Sequence, residues 1–349
     1  MEDFIEIKMK NLKIKSQYLF LLSGLLFLSL FLIYIFNFNT EIDNLYLNHV
    51  TSQLVVLKKT TKKPITLFFV GDIMLDRGVE YQIIKEGKGD YKFPFFKIAD
   101  YLEEADILFG NFEGPISDKG IKVGSIYSFR TNPKAIEGLV FAGFDILSEA
   151  NNHVFDYGRE AMEDTFLRLK SSGIDYVGAG FNEKEAYSPI IRDIKDTKIA
   201  FLAFTNLGSN FWKATNERSG IAWLEEQRMK EEIKKAKDLA DIVIVSFHYG
   251  EEYFSEPVPS QVSTSKIAID SGADLIIGHH PHVIQPIERY KDAYIAYSLG
   301  NFVFDQGFSK ETMEGLLLKV LIEDKKIKEI IPIGININRF FQPEIKEEL

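Results

Sequence analysis

From residue 65 onward, short apolar runs recur along the chain, and most of them end at a cluster of polar residues. The first run, residues 65–70, is followed directly by Gly71-Asp72. The later runs are residues 105–109, 145–147, 198–204, 242–247, 275–277 and 294–297. Runs of this length, bounded by turn residues, are typical of buried strands. Helical patterns lie between them, most clearly at residues 225–239 and 261–271, so the sequence predicts an α/β fold with largely parallel pairing.

After residue 313 the pattern becomes strand-like without helices. Residues 316–322 and 327–337 are separated by the turn-like Asp324-Lys325-Lys326. We expect these two segments to form a closing antiparallel hairpin. The predicted globular domain therefore covers residues 64–340, with residues 341–349 as a tail.

The N-terminal segment has a different composition. Residues 18–36 contain no charged side chain, and a helix over them would span about 28 Å, close to the hydrocarbon thickness of a bilayer. Four lysines precede this segment: Lys8, Lys10, Lys13 and Lys15. Because basic residues favour the cytoplasmic side, we predict a cytoplasmic N-terminus at residues 1–17, a single-pass signal anchor at 18–36, and an extracellular C-terminal domain. A cleaved signal peptide and a buried soluble helix are the alternatives, although no small-residue cleavage pattern follows Phe36.

The composition excludes several classes of protein. Residues 37–63 are rich in Asn, Thr and Lys and are predicted to be a solvated linker or stalk. The chain has no Cys, which excludes a disulfide scaffold, a thiolate zinc site, an iron–sulfur cluster and a Cys nucleophile. The net charge is −10, so no nucleic-acid partner is expected, since binding to phosphate polymers depends on clustered basic charge.

Polar residues follow the predicted strands at their carboxyl ends, where sites form in open α/β folds. Five of the six His residues lie in these segments: His153, His248, His279, His280 and His282. Asp72, Glu113 and Asn152 lie in equivalent positions. Imidazole nitrogens together with carboxylate and amide oxygens suit zinc, manganese or iron rather than calcium or magnesium. The sequence therefore predicts a divalent-metal site, and a His-lined site for an acidic ligand is the alternative.

Six of these segments resemble, in order, the motifs of the CapA family of poly-γ-glutamate capsule synthesis proteins. They are GDIML (71–75), GNFE (110–113), NNH with DYG (151–158), HYG with EY (248–253), GHHPHV (278–283) and SLGNFVFDQ (298–306). The resemblance covers roughly residues 65–306. One departure is Tyr249, where the family usually has Trp. The resemblance implies a role in capsule biosynthesis or export, with membrane synthase subunits as partners.

The CapA family in turn resembles the calcineurin-like metallophosphoesterases, which implies a four-layer αββα sandwich with one or two metal ions at the strand ends. Asp72 matches the Asp of their Asp-x-His block, but Met74 stands where the His would be. Asn111 stands where the metal-bridging Asp would be, and Glu113 is a candidate substitute. These departures leave the number of metal ions open.

The remaining matches complete the implied ligand set. Asn152 and His153 match the Asn-His block, and His248 matches the lone His of those enzymes. His280 and His282 fit the His-x-His spacing, with His279 as an additional candidate ligand. The resemblance therefore implies a metal set of Asp72, Glu113, Asn152, His248, His279, His280 and His282.

Such a site would hydrolyse a phosphoester through a metal-activated water. His153, paired with Asp156 or Glu149, would protonate the leaving oxygen or hold a phosphoryl oxygen. Arg130 would fork onto a phosphate or carboxylate. The alternative for Arg130 is a surface position in a loop.

Three functional classes remain open at this stage. The first is a metal-dependent hydrolase of phosphoesters in the cell envelope. The second is an accessory subunit of poly-γ-glutamate synthesis or export, in which the metal site is active or vestigial. The third is a module that binds an anionic carboxylate polymer. The net charge of −10 argues against this third class, because like charges repel at long range.

Overall fold

The computed structural model describes residues 2–59, 63–123 and 125–346. Residue 1, residues 60–62 of the predicted linker, residue 124 and residues 347–349 of the predicted tail lie outside them. The chain divides into two compact units, Met1–Lys63 and Pro64–Leu349.

The N-terminal unit consists of one helix, α1 (Glu2–Lys59). Its stretch Leu19–His49 is long and apolar enough to cross a membrane, and its side chains that the structure describes are not buried. The predicted linker is helical as far as Lys59. No Gly or Pro follows Gly24 before the helix ends at Lys59, so no helix-breaking residue interrupts that stretch.

The second unit alternates strands and helices. Its strands are β1 (Ile65–Ile73), β2 (Ile107–Phe112), β3 (Ile146–Ser148), β4 (Asp175–Val177), β5 (Ala179–Gly180), β6 (Ile190–Ile194), β7 (Thr197–Thr205), β8 (Gly220–Ile221), β9 (Ile242–His248), β10 (Leu275–His279), β11 (Ile287–Tyr290), β12 (Ala293–Ala296), β13 (Asn301–Val303), β14 (Glu314–Glu323), β15 (Lys326–Ile337) and β16 (Pro343–Ile345). Its helices are α2 (Arg77–Lys85), α3 (Ala99–Leu102), α4 (Ala135–Phe141), α5 (Gly158–Ser171), α6 (Glu183–Tyr187), α7 (Glu226–Leu239) and α8 (Pro259–Asp270). Each predicted apolar run lies on one of these strands, and α7 and α8 are the two helices expected from the sequence.

The strands form two main sheets. The first has the order β16-β15-β14-β1-β2-β3-β4, with β13 also paired to β1. The second has the order β11-β12-β10-β9-β7-β6. Pairing is parallel through β1-β2-β3-β4 and through β7-β9-β10-β12, and antiparallel at the outer strands. The expected hairpin is β14–β15, and β16 adds a further strand to it from within residues 341–349.

The two sheets pack face to face between two layers of helices. Alternate residues of β1 point to opposite faces, because the side-chain period of a strand is two. Leu67 and Phe69 join the core between the sheets, whereas Phe68 and Val70 pack with α2, α4 and α5. Phe109 of β2 stacks on Phe201 of β7, with ring centroids 6.0 Å apart. The second sheet packs its other face on α7 and α8, so the fold is the expected four-layer αββα sandwich.

Aspartates clip neighbouring strands together at their amino ends. Asp106, Asp145, Asp241 and Asp274 each precede a strand. Each donates its backbone N–H to a carbonyl of the neighbouring strand and accepts that residue's N–H on its carboxylate. For Asp274 both bonds go to Val243 and measure 2.8 Å. The clips satisfy backbone groups at the strand starts and align the carboxyl ends, where the candidate site lies.

Candidate metal centre

The candidate site lies at the carboxyl ends of the parallel strands of both sheets. Asp72 belongs to β1, and Asn111 and Glu113 lie at the end of β2. His248 ends β9, and His279 ends β10. The loop after β3 adds Asn152 and His153, and the loop after β10 adds His280 and His282. The parallel strands therefore bring together residues from five widely separated segments, as the sequence predicted.

Asp72 is the most heavily contacted carboxylate of the site. Its Oδ1 accepts from Asn111 Nδ2 at 2.8 Å, and its Oδ2 accepts from the backbone N–H of His280 at 3.1 Å. Nδ1 of His279 lies 3.3 Å from Oδ1, and Nδ1 of His282 lies 3.2 Å from Oδ2. Burial alone raises the pKa of Asp72, but the two imidazoles outweigh burial and hold the pKa well below its ordinary value. Asp72 is therefore an anion at neutral pH.

Glu113 is a fully buried carboxylate without a hydrogen-bond partner for either oxygen among the described residues. Nε2 of His153 and Nε2 of His248 are each 3.9 Å from one of its oxygens, too far for a hydrogen bond. Burial, followed by the charge of Asp72, raises the pKa of Glu113 well above its ordinary value. Buried carboxylates rarely lack partners, and a bound cation would supply what these two oxygens lack.

His248 is held as a neutral ring by two amides. Asn111 Nδ2 can only donate, so Nδ1 of His248, 3.2 Å away, accepts. Nε2 therefore carries the proton and donates to Asn152 Oδ1 at 2.7 Å. Burial, then the nearby His280, lowers the pKa of His248 well below its ordinary value. A neutral imidazole is the form that binds a metal, and a cation would take one ring nitrogen in place of its hydrogen bond to an amide.

His280 and His282 occupy a strained turn after β10. Their φ angles are +96° and +58°, in the left-handed region that non-glycine residues rarely adopt. Such strain costs on the order of 1–3 kcal/mol per residue and is concentrated at functional sites. Burial, then His282, lowers the pKa of His280 to about 3. Burial lowers the pKa of His282, but Glu113 and Asp72 outweigh burial and raise it to about 9.

Close backbone crossings beside the site depend on two glycines. A Cβ added to Gly71, next to Asp72, would lie 2.0 Å from the carbonyl oxygen of Gly300. A Cβ added to Gly278, before His279, would lie 1.9 Å from the carbonyl oxygen of Tyr297. Both positions therefore exclude any side chain, and they bring the segment after β12 against the metal centre. Asn301 of that segment contacts Nδ1 of His282 through its Oδ1 at 3.0 Å.

Two groups of side chains have the geometry to hold a cation. One is Asp72, Glu113 and His248, all buried, and the other is Glu252, His280 and His282. Within each group, one ligand atom per residue lies within 4.8 Å of the others. The unpartnered oxygens of Glu113 and the unpartnered Nδ1 of His280 show that this donor set fits a divalent cation.

The other predicted ligands lie beside these groups. Asn152 contacts His248, and His279 packs behind Asp72, fully buried, in neither group. Met74 is fully buried in the helix-side core, so the position that carries a His ligand in metallophosphoesterases is apolar here. The roles of Asn152 and His279 as metal ligands remain predictions.

His153 and Asp156 form the predicted pair. Nδ1 of His153 lies 2.7 Å from Asp156 Oδ2, which also accepts the backbone N–H of Phe129 at 2.8 Å. The ring of His153 packs against the ring of Phe129, with centroids 4.1 Å apart and the planes tilted by 30°. Asp156 thereby orients the imidazole so that Nε2 faces Glu113. Glu149, the alternative partner of His153, is buried with both oxygens unpartnered among the described residues, and burial raises its pKa.

The sequence analysis missed a second arginine near the site. Arg130 lies over the ring of Tyr157 at 4.3 Å, in neither cation group. The guanidinium carbon of Arg77 lies 4.6 Å from the ring centroid of Phe129, and that ring also packs against His153. It also pairs with Asp305. The signal was available, because Arg77 follows the first predicted strand within a few residues of Asp72.

Comparison with known proteins gives a consistent set of matches. A family model described as "Bacterial capsule synthesis protein PGA_cap" matches residues 66–306. The capsule biosynthesis protein CapA of Bacillus anthracis is 35% identical over 301 residues, covering 82% of this chain and 71% of that protein. The PGA biosynthesis protein CapA of Bacillus subtilis (strain 168) is 36% identical over 277 residues, covering 77% and 71%. A putative 5'-nucleotidase structure from Staphylococcus aureus aligns with a TM-score of 0.49 at 14% identity, covering 82% of this chain and 55% of that chain. The region matched by the family model contains every residue of the metal centre.

Proposed function

The chain belongs to the bacterial capsule synthesis protein family, and from this membership we propose that it takes part in poly-γ-glutamate capsule formation at the cell surface. Relatives named as capsule and PGA biosynthesis proteins in two Bacillus species support this role. Within it, we propose that the metal centre hydrolyses a phosphoester of a cell-envelope or polymer intermediate. The observation that carries this proposal is Glu113, a buried carboxylate with both oxygens unpartnered beside Asp72 and the histidines.

The residues of the centre divide the work of such a reaction. Asp72, Glu113 and His248 would hold one cation. His280 and His282 belong to the second ligand group and would contribute to binding there. A bound divalent cation supplies Lewis-acid polarisation of a phosphoryl oxygen and lowers the pKa of a water. The choice among manganese, zinc and iron stays open, because imidazole and carboxylate ligands accept all three.

His153 is proposed to move the proton of the reaction. Asp156 accepts from Nδ1 and holds the ring by its own bond to the Phe129 N–H, which leaves Nε2 directed to the centre. A proton on Nε2 would be delivered to the leaving oxygen. Packing against the ring of Phe129 restricts the imidazole, and a fixed general acid needs no reorientation during the reaction.

An anionic substrate is supported by two arginines near the centre. Arg77 contacts the ring of Phe129, and Arg130 is the residue that follows Phe129 in the chain. Guanidinium groups suit phosphate and carboxylate oxygens, and both groups would occur together in an anionic polymer intermediate.

A non-catalytic accessory role is the second candidate, and one observation favours it. The amide of Asn111 donates to Asp72 and to His248, at the position where the resemblance places a bridging carboxylate. An amide nitrogen cannot bridge two cations. With Met74 also apolar, the centre would then hold an ion that shapes the protein without activating water.

Attachment to the membrane completes the proposal. Helix α1 contains the candidate span Leu19–His49, and the lysines before residue 18 support a cytoplasmic N-terminus and an extracellular domain. Protease treatment of intact cells should then release a fragment close to the size of residues 64–349. Protection of that fragment until lysis would contradict this orientation. Membrane synthase subunits are the proposed partners.

The experiment for catalysis compares His153→Ala with the parent chain. Metal content and hydrolysis of an aryl phosphate are measured with added Mn²⁺, Zn²⁺ or Fe²⁺. The substitution should lower the rate by about 10²–10⁴-fold, the usual contribution of a general acid. Metal content should stay unchanged, because His153 lies in neither ligand group. Asp156→Asn is the matched control for orientation, and its loss should be smaller.

The same variants separate the two candidate functions. Polymer production in cells is measured beside hydrolysis. Loss of both in His153→Ala supports an enzyme whose product feeds capsule assembly. A parent chain without detectable hydrolysis, together with polymer production that survives His153→Ala, supports the accessory role instead.

A further inference from the structure

Glu252 lies beside the metal centre, although it belongs to none of the motif blocks that the metallophosphoesterases use for ligands. Its carboxylate groups with His280 and His282, one atom from each lying within 4.8 Å of the others. Glu252 is exposed, whereas both histidines are buried. Nδ1 of His280 has no hydrogen-bond partner among the described residues, and His280 is only 7% exposed. The group therefore combines a buried imidazole that has an unpartnered nitrogen with a carboxylate exposed to solvent.

Backbone hydrogen bonds fix the loop that carries Glu252. The N–H of Tyr249 donates to the carbonyl of His279 at 3.2 Å, and the N–H of Tyr253 donates to the carbonyl of Pro281 at 2.8 Å. Tyr253 has a φ of +68°, in the left-handed region that non-glycine residues rarely adopt. The loop after β9 is thus bonded at both ends to the segment that holds the histidines. The approach of Glu252 to the site is built into the fold.

The donor set of this outer group is chemically distinct from the buried one. Two imidazoles and one carboxylate are the protein ligands of many catalytic zinc ions, with the remaining position open to water or substrate. Because Glu252 is exposed, the open coordination position of a cation in this group would face solvent. His282 also lies 3.2 Å from Asp72, so the outer group adjoins Asp72, Glu113 and His248. The chain thereby regains a carboxylate at a centre where Met74 and Asn111 have removed two ligands.

We propose that Glu252, His280 and His282 form an outer divalent-cation position, next to the buried position of Asp72, Glu113 and His248. The inference rests on the proposed metal centre and adds its solvent-side ligand. The outer ion is the one that meets the substrate, because its group alone includes an exposed residue.

The test measures metal stoichiometry and affinity in the full chain, purified in detergent. The protein is stripped with chelator and titrated with Zn²⁺, and bound metal is measured by mass spectrometry and calorimetry. The parent chain should bind two ions. Glu252→Gln should keep one tight site and weaken the other at least about tenfold, since even outer-shell partners of metal ligands contribute about 10–100-fold to affinity.

Glu251→Gln is the matched control, because it makes the same change in charge at the neighbouring residue of the same loop, outside both ligand groups. It should bind two ions as the parent does. Two tight ions in Glu252→Gln would overturn the inference and leave the proposed function intact, as would a single ion in the parent that Glu252→Gln does not affect. A parent chain that binds no ion would overturn both. Equal melting temperatures of the two variants in chelator would show that the difference does not come from unfolding.

Discussion

Acidic residues at the two ends of the parallel strands differ in their hydrogen-bond and charge partners. At the amino ends, Asp241 accepts the N–H of Lys198 and pairs with Lys325 at 3.0 Å, while Asp274 accepts the N–H of Val243 and pairs with Lys237 at 2.7 Å. At the carboxyl ends, Glu113 has neither a hydrogen bond nor a lysine or arginine partner within the described part of the chain. Protein groups satisfy the two aspartates, but they do not satisfy Glu113.

This difference separates structural acids from functional ones. An acid that aligns strands is stabilising in the folded protein alone, so its partners are all present in the fold. A buried acid that serves as a metal ligand destabilises the metal-free fold, because its charge is desolvated and repelled by neighbouring carboxylates. It becomes stabilising only when the cation binds. The same side chain can therefore serve either purpose, and only its contacts tell which.

The largest expected effect comes from exchanging a carboxylate for an amide at each end. Asp72→Asn should lower zinc affinity at least about 100-fold, since an anionic ligand is replaced by a weak neutral one. Asp241→Asn makes the same chemical change at the amino ends and should leave zinc affinity unchanged. Calorimetric titration of both variants checks this. Equal zinc affinities in the two would remove the distinction between the ends.

A smaller effect is expected from breaking one strand clip. Asp274→Ala leaves the buried N–H of Val243 unsatisfied and removes the pair with Lys237, so the free energy of unfolding should fall by about 2 kcal/mol. Denaturant unfolding in chelator measures this. Asp292→Ala, at an exposed acid 3.9 Å from Arg289, is the control and should change it by less than about 0.5 kcal/mol. A full loss of metal binding in Asp274→Ala without destabilisation would contradict the assignment.

The smallest effect has the opposite sign. Because the pKa of Glu113 in the folded protein lies above its usual 4.5, its contribution to stability is present below that pH and is lost as the pH rises towards the raised pKa. Glu113→Gln cannot ionise, so in chelator at neutral pH it should be more stable than the parent by on the order of 1 kcal/mol. The gain is small because the amide is also buried without partners.

Thermal unfolding of Glu113→Gln and the parent between acidic and neutral pH measures this difference. The two curves should converge at low pH, where Glu113 is protonated in both folded and unfolded protein. Added Zn²⁺ should reverse the order, because only the parent keeps the carboxylate ligand. A variant that is less stable than the parent in chelator at neutral pH would show that Glu113 already has a stabilising partner.

The candidate site was predictable where a local pattern sufficed. Asp72, His248 and His282 follow apolar runs, and parallel strands bring such residues to one edge of a sheet. The structure places all three residues at that edge. Arg77 and Glu252 were missed as site residues. Arg77 follows the first predicted strand, and Glu252 lies in the EY part of the fourth motif, so both positions were visible in the sequence. Their contacts were not, because Arg77 contacts the ring of Phe129 and the loop of Glu252 is bonded to the turn after β10.

The sequence by itself determined the α/β class, the strands and helices that carry it, the candidate membrane span and the edge of the sheets where polar residues collect. These follow from hydrophobic periodicity and from the direction of parallel strands, which are local or nearly local properties. Three facts were decided only by the tertiary structure. Glu113 has no hydrogen-bond partner among the described residues, Asn111 donates hydrogen bonds to Asp72 and His248, and the two groups of candidate metal ligands lie next to each other. Those facts depend on contacts between segments as far as 208 residues apart, fixed by glycine crossings and left-handed turns whose geometry no single segment contains.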